Sequence, residues 1–289
     1  MKYSINAPAK INLFLDVLGK RDDGYHEIRS VMQSVSLYDE ISLEILPSSN
    51  TKIELSGTTN VIKWDESNLA YKACALFLSR LGKSDVLIKI HIDKHIPIGA
   101  GMAGGSADAS GVLLLLNQAF DFPFSTDELC EIGAKLGADI PFCIKGGTCL
   151  CEGIGEVLTP IKSLSEMNIL CAIDDSNVST PQAYKMIDEK YGEGRTNGVD
   201  ISPLMNAIDD ENVQGIASSL YNKFEGVIIP QNPKIDEIKS VMIENGALGS
   251  LMSGSGPSVF GIFPSESAQK NAYFALQSKK IQVFLCKSL

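Results

Sequence analysis

The stretch "PIGAGMAGGSADAS", residues 97–110, sets glycine at 99, 101, 104 and 105 and runs straight into the apolar "GVLLLLNQAF". No other segment limits the possible folds so sharply. Glycine is required where the backbone takes positive φ or must come close to another group, and a glycine-rich turn that opens a helix aims several N–H donors at one point. The start of a helix carries partial positive charge, so the natural guest of such a turn is an anion, above all phosphate. A plain strand-to-helix turn needs only one or two glycines, and here four stand beside the small Ala100, Ala103 and Ser106. The phosphate-binding candidates are therefore Pro97, Gly99, Ala100, Gly101 and Met102, continuing through Ala103, Gly104, Gly105, Ser106 and Ala107.

Two well-known phosphate loops do not fit. Gly99, Gly101 and Gly104 match GxGxxG, but a dinucleotide site needs a second strand ending in an acid roughly 20 residues on. Asp121 lies at that distance, and "GVLLLLNQAFDFPFS" leaves no strand before it. The pattern GxxxxGK[ST] fails because no lysine follows the glycines. A phosphate loop of another design remains.

The 289 residues and 44% hydrophobic content suffice for one large or two ordinary domains with a substantial core. A formal charge of −10 and a pI near 4.9, with no run of Lys and Arg, argue against a nucleic-acid partner. No apolar run reaches the roughly 20 residues of a membrane span, and the first residues alternate like a strand rather than a signal peptide. The expectation is a cytoplasmic protein, monomeric or weakly dimeric, with no membrane association. Seven cysteines without a CxxC pair or a histidine cluster predict neither a disulfide framework nor a zinc site.

Along the chain, strands are predicted in residues 3–19, 25–46, 51–57 and 85–97, with one helix over 68–82 that Gly82 stops. The glycine loop follows, then a helix over 106–120, a capping box at Ser125 and Glu128, and a glycine-rich strand pair in 146–160. Beyond it come a strand, a loop and a helix in 167–194, a mostly helical 195–225, helices over 232–246 and 265–279, and a final strand in 281–289. The polar Gly192–Asp200 stretch reads as a flexible connection. The class is α+β with mixed and antiparallel sheets and helices, in two lobes, residues 1–158 and 159–289.

Three further stretches bear on chemistry. "PAKINL" sets Lys10 and Asn12 in phase on one strand face. "LGADIPFC" isolates one carboxylate, Asp139, between a helix stop and Pro141. "SGSGPSVF" offers a second small-residue loop. From the residues alone, Asp139 reads equally as a turn carboxylate accepting a backbone N–H, and Lys10 as a solvated strand lysine.

The trio "PAKINL", "PIGAGMAGGSADAS" and "MSGSGPSVF", in this order, resembles the GHMP kinase superfamily. "RDDGYHEIRSVMQSVSLYDEI" and "LGADIPFCIKGGTCLCEGIGE" resemble a branch that phosphorylates the 2-hydroxyl of a cytidine-diphosphate-linked methylerythritol, an isoprenoid precursor. The resemblance implies a two-lobed GHMP kinase fold that uses ATP and Mg2+. It implies that the loop Gly99–Ser106 wraps the ATP phosphates, with Lys94 and Asn68 near the nucleotide. Asp139 would take the proton of the attacking hydroxyl, and Lys10 would steady the charge. Substrate contacts would come from Asn12, from Tyr25 and His26 of "DGYH", from Thr180 and Tyr184 of "STPQAYK", and from Gly254, Ser255 and Gly256. Ala107 stands where many relatives carry a second hydroxyl, and no metal ligands are marked: Glu152, Asp174 and Asp175 stay unassigned. The rivals within the superfamily are homoserine and mevalonate kinases, which lack a cytosine pocket.

Overall fold

The computed structural model describes residues 2–164, 166–173, 176 and 178–289. In chain order the elements are β1 (Lys2–Lys20), β2 (His26–Pro47), β3 (Lys52–Gly57), α1 (Leu69–Leu81), β4 (Val86–Asp93), α2 (Gly104–Ala119), α3 (Thr126–Ala134), α4 (Ile140–Lys145), β5 (Thr148–Glu152) and β6 (Val157–Pro160). They continue as β7 (Asn168–Ile173), α5 (Thr180–Tyr191), α6 (Ser202–Asp209), α7 (Val213–Ser218), β8 (Tyr221–Asn222) and α8 (Glu225–Ile228). The last are α9 (Pro233–Glu244), β9 (Gly249–Met252), β10 (Ser258–Phe263), α10 (Glu266–Ser278) and β11 (Gln282–Lys287). The mixed α+β class holds.

Packing separates the chain into two units, and the chain passes between them more than once. Unit 1 holds residues 1–9, 37–98 and 103–146; unit 2 holds 10–36, 99–102 and 147–289. This criterion is spatial, whereas the halves 1–158 and 159–289 divide the sequence.

In unit 1, β4 pairs antiparallel with the second half of β2 (Ile41 opposite Ile92) and parallel with β3 (Ile53 beside Ile88). Alternation of side chains sends Ile41, Leu43, Ile88, Ile90 and Ile92 into the core, each at most 1% exposed. Helix α2 is buried on most of its circumference, from Ala107 to Asn117. It comes close to the sheet at Gly111, where a Cβ would collide with Ile41 and crowd Ile5 and Ala7. Phe77 of α1, fully buried, meets Phe124 edge-on at 5.2 Å and Phe120 at 6.2 Å, fixing α1 against the end of α2.

In unit 2, the first half of β2 pairs with β5 and β5 with β6, while β1 pairs with β8 at Phe14 and Leu15. A separate antiparallel sheet runs β11-β7-β10-β9. Its core joins Leu170, Ala172, Val259 and Phe263 to Ile187 of α5, Ile238 of α9 and Leu276 of α10.

Two predictions from sequence need correction. Helix α2 begins at Gly104, inside the glycine pair and two residues ahead of the expected start. Residues 192–200 are not a free connection. Lys20 N–H donates to Glu193 O, Thr196 N–H to Leu18 O and Val199 N–H to Asp16 Oδ2, so the segment is tied along β1. Its polar composition signals exposure and says nothing about these backbone bonds.

Removing the Phe77 ring leaves a cavity between α1 and the end of α2. Phe77→Ala is expected to cost about 3–5 kcal/mol of stability, read from the denaturant midpoint at unchanged slope; a loss below about 1 kcal/mol contradicts this packing role.

Candidate active site

Two of the four loop glycines take conformations that favour glycine. Gly99 and Gly101 hold φ of +68° and +75°, and a Cβ on Gly101 would run into the Ser253 carbonyl of its own unit. Ala103 holds φ +59°, a conformation that costs a non-glycine residue about 1 kcal/mol or more. It stands at the N-cap of α2, where no side chain caps and no acid occupies the first turn. Four helices are closed by side chains: α1 by Asn68, α3 by the predicted Ser125–Glu128 capping box, α7 by Asn212 and α10 by Ser265. Helix α2 shares its open end with α4, α5, α6, α8 and α9, and differs from them in the glycine loop that precedes it. The first intrahelical bond of α2 runs from Ala107 N–H to Ala103 O. The N–H groups of Gly104, Gly105 and Ser106 thus have no acceptor within the helix, and the positive end of its dipole is bare.

Beneath the start of α2 in unit 1 lies a buried ion triad. The Lys94 ammonium reaches Asp39 Oδ2 and, at 2.7 Å, Asp108 Oδ2, with all three side chains at most 4% exposed. Asp39 Oδ1 also accepts the N–H groups of His95 (2.6 Å) and Ile96 (2.8 Å). The triad therefore joins β2, the two residues leading to Pro97, and the second turn of α2. Lys94 Nζ lies 3.4 Å from the position a Cβ on Gly104 would take. Asp108 Oδ1 is buried without a partner. Burial pushes the Asp108 carboxyl up to about 7, with Lys94 pulling the other way and Asp39 adding to the rise.

Sequence reasoning gave Lys94 and Asn68 as nucleotide contacts. In the structure the Lys94 ammonium sits between two carboxylates. The Asn68 amide accepts from Ala70 N–H and donates to Lys63 O, both at 2.9 Å. Asp39 and Asp108 were missed. Their signal was a carboxylate among inward-facing β-strand residues in "SLYDEIS" and another inside the small, apolar start of α2 in "GGSADAS".

Unit 2 gathers Lys10, Asn12 and the second small-residue loop. Lys10 Nζ donates to Asn12 Oδ1 at 2.7 Å, as their shared strand phase predicts. Asn12 Oδ1 also accepts from Gly254 N–H at 3.0 Å, and its Nδ2 donates to Ser30 Oγ at 2.9 Å. Ser253 Oγ receives Asn12 N–H and donates to Gly101 O, while Met102 O accepts Lys10 N–H. The Asn222 amide donates to Met252 O and Gly254 O, fixing that loop from below. Gly254 and Gly256 hold φ of +57° and +85°.

Helix α5 brings the remaining candidates of unit 2 together. Thr180 Oγ1 and Ser255 Oγ are hydrogen bonded at 2.9 Å. Tyr184 stacks on His26, with centroids 4.5 Å apart and 20° between planes, and meets Phe224 edge-on. His26 Nε2 lies 2.7 Å from Asp188 Oδ1. Tyr25 stands 61% exposed beside it in sequence, its ring presented to solvent.

Asp139, in unit 1, sits at the N-cap of the short α4, half-buried, and its side chain makes no cap hydrogen bond. Glu152 lies 3.9 Å from Arg29. Asp174 and Asp175 lie outside the described residues.

Comparison with known proteins identifies the family. The family described as "GHMP kinases N terminal domain" matches residues 68–147, and "GHMP kinases C terminal" matches 201–282. The chain belongs to the GHMP kinases. A 4-diphosphocytidyl-2-C-methyl-D-erythritol kinase of Caldicellulosiruptor bescii is 45% identical, covering 97% of this chain and 94% of that protein. One of Clostridium perfringens is 40% identical over 95% and 93%. A crystal structure of a 4-(cytidine 5'-diphospho)-2C-methyl-D-erythritol kinase superposes with a TM-score of 0.83 at 29% identity, over 99% of each chain. Within the superfamily, the chain belongs with these kinases. A homoserine kinase from Cytophaga hutchinsonii shares the fold alone, at TM-score 0.78 and 18% identity over 100% of this chain and 94% of that one.

The Asp108 carboxyl gives a pH signature. Its folded pKa lies above the 3.8 of a free carboxyl, so between about pH 4 and 7 the folded state holds a proton that the unfolded state releases. Stability contributed by this group is full below about pH 4 and is lost as pH rises through about 7. Asp108→Asn, neutral throughout, is expected to flatten the decline in thermal midpoint over that window relative to the parent; parallel curves for the two proteins contradict it.

Proposed function

We propose that this protein transfers the γ-phosphoryl group of ATP to the 2-hydroxyl of 4-diphosphocytidyl-2-C-methyl-D-erythritol, a step in isoprenoid precursor synthesis. The observation that carries the reading is the bare N-terminus of α2 behind the glycine loop, in a chain of this family. Backbone donors without capping side chains suit a triphosphate, whose charge they meet without displacing a competitor. Phosphoryl transfer is mostly positioning and electrostatics, so the chain has little covalent chemistry to perform. Asp139, with no cap bond to hold its carboxylate, accepts the proton of the substrate hydroxyl. Lys10, whose ammonium is held by a neutral amide rather than a carboxylate, keeps its charge for the transferring group.

Magnesium would neutralise phosphate charge. Among the described residues no group of three or more His, Cys, Asp or Glu forms a cage for it. Mg2+ needs no such cage, since it usually binds through one or two carboxylates together with substrate phosphates and water. Tyr25, with its exposed ring, and the Tyr184–His26 stack supply aromatic surface for a pyrimidine. Cytidine recognition then provides binding energy remote from the reacting atoms, used for orientation.

The test is ADP release with the cytidine-linked alcohol, its uridine analogue and the unlinked alcohol. The cytidine substrate is expected to dominate; equal turnover of the unlinked alcohol assigns the chain to another GHMP activity, of homoserine or mevalonate type. Asp139→Asn is expected to lower kcat by about 100-fold or more with KM nearly kept. A change within a few-fold moves the base elsewhere. Tyr25→Ala is expected to lower kcat/KM for the cytidine substrate by about 10- to 100-fold while leaving the KM for ATP unchanged.

A further inference from the structure

Asp188 lies four residues beyond Tyr184 on α5, which puts both side chains on one helix face. That face meets His26 twice: Tyr184 lies flat against the ring, and Asp188 Oδ1 binds its Nε2 at 2.7 Å. Asp188 is itself held. Its Oδ2 lies 3.6 Å from the Lys20 ammonium, which also binds Glu193 at 2.6 Å, and its side chain is 14% exposed. The imidazole, 8% exposed, is thus fixed in plane by a stack and in rotation by a hydrogen bond.

A carboxylate can only accept, so the hydrogen on this contact belongs to Nε2. In the neutral ring the other nitrogen, Nδ1, then carries a lone pair. It has no hydrogen-bond partner among the described residues. Cytosine and uracil differ at N3, where cytosine accepts and uracil donates, and at position 4, where cytosine presents an amino donor and uracil an oxo acceptor. The relevant discrimination is that of an Nδ1 that meets position 4. A lone pair there accepts from the amino donor and repels the oxo acceptor.

We infer that Asp188 is a positioning residue for base selection: by pinning the proton of His26 on Nε2, it turns Nδ1 into an acceptor that admits a 4-amino pyrimidine and rejects a 4-oxo one. This rests on the cytidine-linked substrate proposed above. The discrimination lives in the tautomer rather than in the shape of the pocket. Exchange of Asp for Asn at a carboxylate–imidazole pair preserves shape and reverses the tautomer, because the amide can donate where the carboxylate could only accept.

The experiment compares parent, Asp188→Asn and Asp188→Ala. The kcat/KM for the cytidine-linked alcohol and its uridine analogue is measured, together with the KM for ATP. Imidazole 15N shifts report the tautomer; with only 3 histidines in the chain, His26 is assigned by difference against a His26→Gln variant. The parent ring is expected to carry its proton on Nε2, and the Asn variant on Nδ1. The cytidine-to-uridine ratio is expected to fall at least tenfold in the Asn variant and by less in the Ala variant, with the KM for ATP unmoved as the sign of an intact fold. A ratio within threefold of the parent in both variants overturns the inference, as does a fallen ratio with the proton still on Nε2. If Asp188→Asn does not fold, a parent proton on Nδ1 overturns it as well. A parent that phosphorylates the unlinked alcohol equally well overturns the substrate reading itself, which the other outcomes leave standing.

Discussion

The open start of α2, with free backbone N–H groups and no capping side chain, governs much of this structure. No side chain caps that end, and Ala103 is held there at positive φ. An open helix end and a strained residue both cost stability, and both need support from elsewhere. In unit 1 that support is the ion triad. Asp39 holds the backbone of His95 and Ile96 just before the loop, and Lys94 links it to Asp108 just after. A buried arrangement of two carboxylates and one ammonium is a poor source of net stability, because desolvation cancels most of the attraction. What it supplies is geometry, since the ammonium must lie where both carboxylates can reach it.

Asn12 plays the corresponding part in unit 2. One amide side chain accepts from Lys10 and from Gly254 N–H and donates to Ser30. A strand residue thereby sets both the direction of a buried ammonium and the position of the second small-residue loop. Ser253 extends the network to Gly101, and Asn222 closes it from beneath. Replacing Asn12 by an apolar residue would leave Lys10 and Gly254 without their shared acceptor, so the network is coupled and its members do not contribute independently.

What the sequence revealed and what it hid follow from the range of the forces involved. Helix ends and turns are local, and the capping box at Ser125 and the stop at Gly82 were readable because their partners lie within a few residues. The strand phase that puts Lys10 beside Asn12 was readable for the same reason. The triad was not, because Asp39 and Asp108 lie 55 and 14 residues from Lys94 and nothing in the chain marks the pairing before it folds. The anchoring of residues 192–200 along β1 was hidden because backbone hydrogen bonds leave no trace in side-chain composition. The glycine loop was the most legible feature, since Gly99 and Gly101 take the positive φ that glycine favours; the roles of Asp139 and Tyr25 came from resemblance to a family, not from their local pattern.

A chain of net charge −10 that binds two polyphosphates cannot attract them with its overall field. Attraction must be local, and the lysines near the candidate residues are not equally available for it. Lys94 is enclosed by two carboxylates, and Lys20 lies between Asp188 and Glu193. Lys10 differs: it is 4% exposed, and its ammonium rests on the neutral amide of Asn12, which directs the charge without cancelling it. Within unit 2 this leaves one buried ammonium whose direction is set by a neutral partner. A charge held in place by such a bond needs little reorganisation when a neighbouring charge develops.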